Sequence, residues 1–326
     1  MSEVEDFAWV LWLIYVWIVD SLKTIIPLEL LPQKSIQSQL ALVTGGAGGI
    51  GKHLALKLVE QGAQVVLWDI NKNALSEAIE WIKEESGVEV SSYVVDLSKK
   101  EDIYRAAALV KKEHGDVDLL FNNAGASTGY SFEEPNDERL ETCIRVNLMA
   151  HFYTIKVFLP SMIKKNRGHI MATASSWALL ADGSFPDYSA AKSGVVGLMR
   201  SLRLELKREN LNGIKSTILF PTYVSTPLCQ GYVHKSVILP QLEPNFVAQR
   251  TVQAVLANQA EILLPRGFYF VNFLHKIAPT RVADELSGLV TGRSVLNYFE
   301  HKGLMPQRKS LRESDQRKTD DLFYGD

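Results

Sequence analysis

Gln39-Leu-Ala-Leu-Val-Thr-Gly-Gly-Ala-Gly-Gly-Ile-Gly51 is the stretch that decides the fold of this 326-residue chain. Gln39 to Thr44 reads as a short buried strand. Gly45 to Gly51 reads as a glycine-rich turn, and an amphipathic helix follows from about Ile50 to Gln61. Such a turn between strand and helix lets backbone N–H groups approach a pyrophosphate at the helix N-terminus. Glycine-rich loops also occur as plain tight turns, so the reading depends on what surrounds this one.

Gln64 to Trp68 predicts a second strand, ending at Asp69, eighteen residues beyond Gly51. A carboxylate there accepts from both ribose hydroxyls and repels a 2′-phosphate. No arginine or lysine lies in the glycine turn or directly after Asp69, which predicts NAD rather than NADP. Val88 to Val95 reads as a strand running into Asp96-Leu97, where a side chain would meet the adenine. Lys99 to His114 reads as a helix, and Val117 to Phe121 as a strand entering Asn122-Asn-Ala-Gly125. This alternation predicts an α/β chain with one doubly wound, Rossmann-like parallel sheet. Ligands of such sheets sit at the carboxyl ends of the strands.

Leu140 to Ile163 reads as one long helix with Asn147 inside it; a mid-helix asparagine is usually just solvated or satisfied. Gly168 to Thr173 is the next strand, and it delivers Ser175. Tyr188 and Lys192 follow, four residues apart, on one face of a helix. A free tyrosine has a pKa near ~10 and is a poor base at neutral pH. A fixed ammonium beside it favours the phenolate. With the Ser175 hydroxyl near, the three would hold an alcohol and take its proton. The spacing alone occurs by chance; the nucleotide half upstream gives it weight. Gly213 to Phe220 is a further strand, ending at Pro221.

Composition narrows the partners. An apolar content of 46% with 22% charged residues is ordinary for a globular protein. A net charge of −2 and the lack of basic runs give no argument for nucleic acid. Cys143 and Cys229 have no metal-ligand spacing and imply no disulfide framework, and no His/Asp/Glu cluster suggests a metal. Phe7 to Val19 are thirteen consecutive apolar residues, three of them tryptophans. That is short of the ~20 needed to cross a bilayer. Acidic residues precede the run and no cleavage site follows, unlike a signal peptide. Residues 1–36 therefore read as a retained anchor, spanning or lying in one leaflet, with a helix packed on the domain as the alternative.

The motifs together resemble the classical short-chain dehydrogenases/reductases over roughly Gln39 to Leu264. Thr44, Gly45, Gly49 and Gly51 match the glycine motif, Asn122 to Gly125 the Asn-Asn-Ala-Gly motif, and Asn147, Ser175, Tyr188 and Lys192 the active-site set. The Pro-Gly usual after the sixth strand is Pro221-Thr222 here. The resemblance implies an enzyme in which Tyr188 is the base for alcohol oxidation or the acid for ketone reduction. Lys192 assists it and holds the nicotinamide ribose, Ser175 orients the substrate oxygen, and Asn147 anchors a water. It also implies a cofactor held by Gly45, Gly49, Ile50, Gly51, Asp69, Asp96, Leu97, Asn123, Ala124, Gly125, Tyr188, Lys192, Pro221, Val224 and Thr226. Pairing into a homodimer through the helices carrying Asn147 and Tyr188 is implied as well.

Softer similarities, at residues 65–71, 115–118 and 158–162, resemble the membrane-bound epidermal retinol dehydrogenase and lipid-droplet 17β-hydroxysteroid dehydrogenase branch. That branch implies a retinoid, steroid or fatty alcohol as substrate. It also implies a place on the endoplasmic reticulum or lipid droplets, with the catalytic domain facing the cytosol. An NADPH-linked carbonyl reductase and a non-catalytic lipid-surface protein are the alternatives; Asp69 speaks against the first and the intact active-site set against the second.

Tyr223 to Pro240, with Trp177 and Tyr223 as candidate substrate contacts beside Ser175, reads either as a cover over the substrate or as an ordinary packed loop. Residues 37–265 are read as the dehydrogenase domain. Residues 266–305 form a C-terminal extension whose Phe268 to Leu274 run lies on a membrane or is buried. Residues 306–326 read as a polar, disordered tail.

Overall fold

The structure, a computed structural model, describes residues 10–16, 19, 26, 28–127, 137–180, 185–226, 228 and 239–291. The polar tail, most of the expected substrate cover and much of the N-terminal apolar run lie outside them. Seven strands form a single parallel sheet: β1 (Leu40–Thr44), β2 (Gln64–Asp69), β3 (Ser91–Val94), β4 (Leu119–Asn122), β5 (Gly168–Thr173), β6 (Ile214–Pro221) and β7 (Glu261–Leu264). Their order across the sheet is β3-β2-β1-β4-β5-β6-β7. The central strands are buried throughout and mostly apolar, as sheets covered by helices on both faces require. The expected doubly wound architecture is present, although β3 is only four residues long, shorter than its sequence suggests.

Helices α1 (Gly49–Glu60), α2 (Lys72–Ser86) and α3 (Lys100–Glu113) connect the first four strands. Local chemistry sets their ends. Asn71 Oδ1 accepts from the N–H groups of Asn73 and Ala74, both at 3.1 Å, and caps α2. Gly87, at φ +70°, ends it in the left-handed conformation that glycine adopts without cost.

The second half departs from the sequence expectation in one place. The span read as a single helix is α4 (Asp137–Ile144), a π-helical segment (Arg145–Met149) and α5 (Ala150–Lys165). The long α6 (Pro186–Arg208) starts with proline at its first turn, where a missing N–H costs nothing. Helices α7 (Pro244–Leu256), α8 (Gly267–Ile277) and α9 (Thr280–Thr291) complete the described chain.

The direction of winding reverses between β1 and β4, and the crevice at such a switch point is where ligands bind. Asn123 stitches the two strand ends together: its Nδ2 donates to the Thr44 carbonyl at 3.1 Å and the Gly45 carbonyl at 3.4 Å.

The expected boundary at residue 36 falls inside a packed segment. Leu28 and Ile36 are buried with the α1 and α7 side of the core. Lys34 Nζ lies 2.7 Å from His169 Nδ1, His169 Nε2 lies 2.9 Å from Thr217 Oγ1, and Thr217 Oγ1 donates to the Gln259 carbonyl at 2.6 Å. This buried chain ties the N-terminal segment to the base of the sheet. Among the described residues, no helix is long and apolar enough to cross a membrane.

Candidate active site

Three chain segments meet at the carboxyl ends of β4 and β5. β5 runs into Ser175, which caps a short turn: its Oγ accepts from the Trp177 N–H at 3.2 Å, leaving the hydroxyl proton to donate elsewhere. Helix α6 brings Tyr188 and Lys192 to the same end, both buried. Lys192 is only 1% exposed; its Nζ donates to the Thr173 carbonyl at 2.7 Å and lies 5.5 Å from the Tyr188 ring centroid. Burial pulls the Lys192 pKa down to about 8. The third segment is the π-helical turn, which brings Asn147 inward. Asn147 Nδ2 donates to the Ala126 carbonyl at 2.6 Å and the Cys143 carbonyl at 2.9 Å, while its Oδ1 accepts from the Ala126 N–H at 3.2 Å. Asn147 is therefore not solvated but satisfied, its amide locked to the Ala126 and Cys143 backbone. A Cβ placed on Gly125 would stand 3.1 Å from Asn147 Oδ1 and 3.7 Å from Lys192 Nζ, so both groups converge on that glycine.

Beyond these groups stands an aromatic wall. Trp177 stacks on Phe185 with centroids 4.4 Å apart, and meets Tyr188 and Tyr223 edge-on at 5.8 and 5.6 Å. The two candidate substrate contacts thus lie together beside Tyr188.

The dinucleotide half fits an anionic, two-part ligand. No side chain caps the N-terminus of α1, which leaves its first N–H groups for an acceptor from outside. Gly45 holds φ +64°, and a Cβ there would press to 2.8 Å from the Ala124 backbone. One on Gly51 would overlap the Gly45 carbonyl. Asp69 Oδ2 accepts from the Ala47 N–H at 3.1 Å and Oδ1 from the Asn71 N–H at 3.1 Å. A carboxylate accepts about four hydrogen bonds, so capacity for a ribose diol remains. Val224 forms a parallel bridge with Leu242, and a Cβ on Gly49 would come within 2.7 Å of the Thr226 side chain. The segment after Pro221 thereby returns over the glycine turn. Asp96 stands just past the end of β3, followed by Leu97, as expected, and it also has local partners. Its carboxylate accepts from the Ser98 N–H and hydroxyl and pairs with Lys99, so it shapes the turn after β3. Partial burial would raise its pKa; the Ser98 and Lys99 bonds outweigh that and lower it. Leu97 is buried beside Ala124 and Thr44.

Sequence reading missed two buried groups beside the site. Cys143 lies one turn before Asn147; burial, with the Asp187 carboxylate next, pushes its thiol up to about 12. His151 lies one turn after Asn147, and among the described residues neither ring nitrogen has a hydrogen-bond partner of good geometry. Burial, helped by Lys192, depresses its pKa to about 3. The spacing of 143, 147 and 151 is the signal that marks one polar stripe on a buried helix face.

Comparison with known proteins shows the family and the fold. The family model described as short chain dehydrogenase matches residues 39–236. Epidermal retinol dehydrogenase 2 of Mus musculus is 37% identical over 260 residues, covering 78% of this chain and 84% of that protein. Retinol dehydrogenase 10-A of Danio rerio is 36% identical over 272 residues, covering 76% and 80%. Among solved structures, a short chain dehydrogenase/reductase from Burkholderia phymatum in complex with NAD aligns with a TM-score of 0.68 and 25% identity, covering 74% of this chain and 94% of that one. An alcohol dehydrogenase from Thermococcus sibiricus, complexed with 5-hydroxy-NADP, aligns with a TM-score of 0.62 and 26% identity, covering 70% and 96%.

Proposed function

The chain belongs to the short-chain dehydrogenase family, and on that premise we propose that it is an NAD-dependent oxidoreductase interconverting a retinoid-type lipophilic alcohol and its carbonyl compound. One observation carries the reading: Lys192 Nζ is pinned by the Thr173 carbonyl beside the Tyr188 ring, on the helix that follows the Ser175 turn.

The bound nicotinamide supplies the hydride chemistry. Tyr188 takes the proton from the substrate hydroxyl during oxidation and returns it during reduction. Lys192 favours the phenolate electrostatically and reaches the cofactor ribose. Ser175 donates to the substrate oxygen and steadies its developing charge. Asn147, locked to Ala126, fixes the turn beside Lys192 and holds the water that carries the proton onward. Asp69 receives the adenosine ribose and selects NAD over NADP. Gly45, Gly49, Ile50 and Gly51 admit the pyrophosphate; Asn123, Ala124, Gly125, Pro221, Val224 and Thr226 line the remaining path. Trp177 and Tyr223 form the apolar side of the substrate pocket.

Retinol-type substrates are favoured by the names of the related dehydrogenases and by the apolar aromatic cluster around Trp177; steroid and fatty alcohols remain competing substrates. A turnover panel of retinol, steroid and long-chain alcohols with membrane fractions tests the assignment, and activity confined to steroids would sink the retinoid reading.

The exposed apolar run from Val10 to Tyr15 supports membrane or lipid-droplet attachment through the N-terminus, with the dehydrogenase domain on the cytosolic side where NAD is available. Extraction by carbonate would count against it. Exposed Phe152 on α5 and Leu204 on α6 support a homodimer through these helices. Light scattering in detergent that found only monomers would refute the dimer.

A further inference from the structure

Helix α8 has two unlike faces. Phe268 and Val271 are buried against the core, and the Tyr269 hydroxyl accepts from the Leu263 N–H at 3.2 Å. On the other side Phe270, Phe273 and Ile277 are 65%, 57% and 65% exposed. Their spacing of three and four residues places them in one stripe. Arg266 and Lys276 flank the stripe and take part in no ion pair among the described residues. Contiguous large apolar side chains on a surface mark a contact site.

The position of this face narrows the contact. Leu264, at the end of β7, pairs with Pro221, and the Thr222 N–H donates to the Leu264 carbonyl at 3.0 Å. Helix α8 therefore starts on the rim that carries Tyr223 and the aromatic wall. The N-terminal segment reaches the same rim. It leaves the base of the sheet at Lys34, whose N–H donates to the Leu256 carbonyl at 2.9 Å, and passes α7 through the Glu29–Arg250 pair at 2.6 Å. It arrives at Ile26, whose carbonyl accepts from Arg266 Nη2 at 3.1 Å. Leu30 on this path is 75% exposed.

We propose that the Phe270–Phe273–Ile277 face of α8 is a second membrane contact, inserting into the leaflet that takes the N-terminal apolar segment and setting the active-site rim against the lipid. This rests on the membrane attachment proposed above. Large aromatic side chains flanked by cations suit the boundary between acyl chains and anionic headgroups. A retinoid-type alcohol then passes from leaflet to pocket without crossing bulk water.

The test uses the full chain with Cys229→Ser, buried Cys143 retained, and an environment-sensitive fluorophore on Phe273→Cys. A control carries the label at Glu84→Cys, on the exposed side of α2. Retained NADH binding shows that each variant is folded. The proteins are floated with vesicles of phosphatidylcholine and phosphatidylserine, with and without acyl-chain nitroxide lipid. The proposal expects a blue shift and nitroxide quenching at 273 and neither at 84. A label at 273 that stays in water while the protein floats would overturn the second contact and leave the N-terminal attachment standing. Failure to float would overturn both. A blue shift without vesicles would assign the face to a second copy or to this chain's own residues, and would overturn the proposal.

Discussion

Lys192 Nζ stands 5.5 Å from the Tyr188 ring centroid and is held there by the Thr173 carbonyl at 2.7 Å. Because the carbonyl fixes the ammonium, its field acts on Tyr188 without reorganisation when the proton moves. Lys192→Met removes what favours the phenolate. The acidic limb of the pH–rate profile for oxidation should then move to higher pH, because a free phenol ionises near ~10. A lower rate with the limb unmoved would show that Lys192 only binds cofactor.

Asp69→Ala should weaken NAD more than NADP. The substitution removes a ribose acceptor and a charge that repels the 2′-phosphate. Michaelis constants for the two cofactors measure this directly. An unchanged preference would refute the role given to Asp69.

Trp177→Ala should redistribute substrates rather than abolish the chemistry. Its ring spans Phe185, Tyr188 and Tyr223, so its loss opens the pocket beside Tyr188. We expect kcat/KM for retinol to fall roughly ten- to a hundred-fold, as for other losses of apolar pocket contact, while bulkier secondary alcohols gain. A uniform fall across the panel would indicate a structural role instead.

His151 makes the folded protein sensitive to acid. In the unfolded chain the imidazole protonates near 6.5; in the folded protein burial keeps it neutral down to about 3. Between these values the unfolded state binds more protons, so stability falls as pH drops through that window. His169, buried and beside Lys34, contributes in the same direction. His151→Leu should keep or raise stability at neutral pH by about 1 kcal/mol, since it removes a buried polar ring that has no well-formed hydrogen bond among the described residues. It should also flatten the loss of Tm on acidification; an unaltered slope would refute this account.

Much of this architecture was legible because parallel strands buried on both faces read as continuous apolar runs, as from Leu40 to Val43 or Leu119 to Phe121. The glycine turn and the Tyr188–Lys192 spacing are local signals, and they stand in the crevice and on α6 as local rules imply. The π segment was not legible. It carries Asn147, whose amide bonds to Ala126, twenty-one residues away, and such non-local partners leave no mark in the helix pattern. The docking of residues 28–36 was hidden for the same reason, since Lys34 finds its partner at His169 across 135 residues. The local partners of Asp96, Ser98 and Lys99, were not legible either, because a strand-end carboxylate carries no pattern that says which turn groups it will bind.

The most direct test of the account is turnover of retinol with NAD by the full-length protein in membranes, compared between wild type and Tyr188→Phe, with NADH binding measured in parallel. The account predicts that the wild type forms retinaldehyde and NADH, that the variant loses ~10²–10⁴-fold in rate, and that both bind NADH alike. A variant retaining more than about a tenth of the wild-type rate would contradict the assignment of Tyr188 as the proton-transferring group.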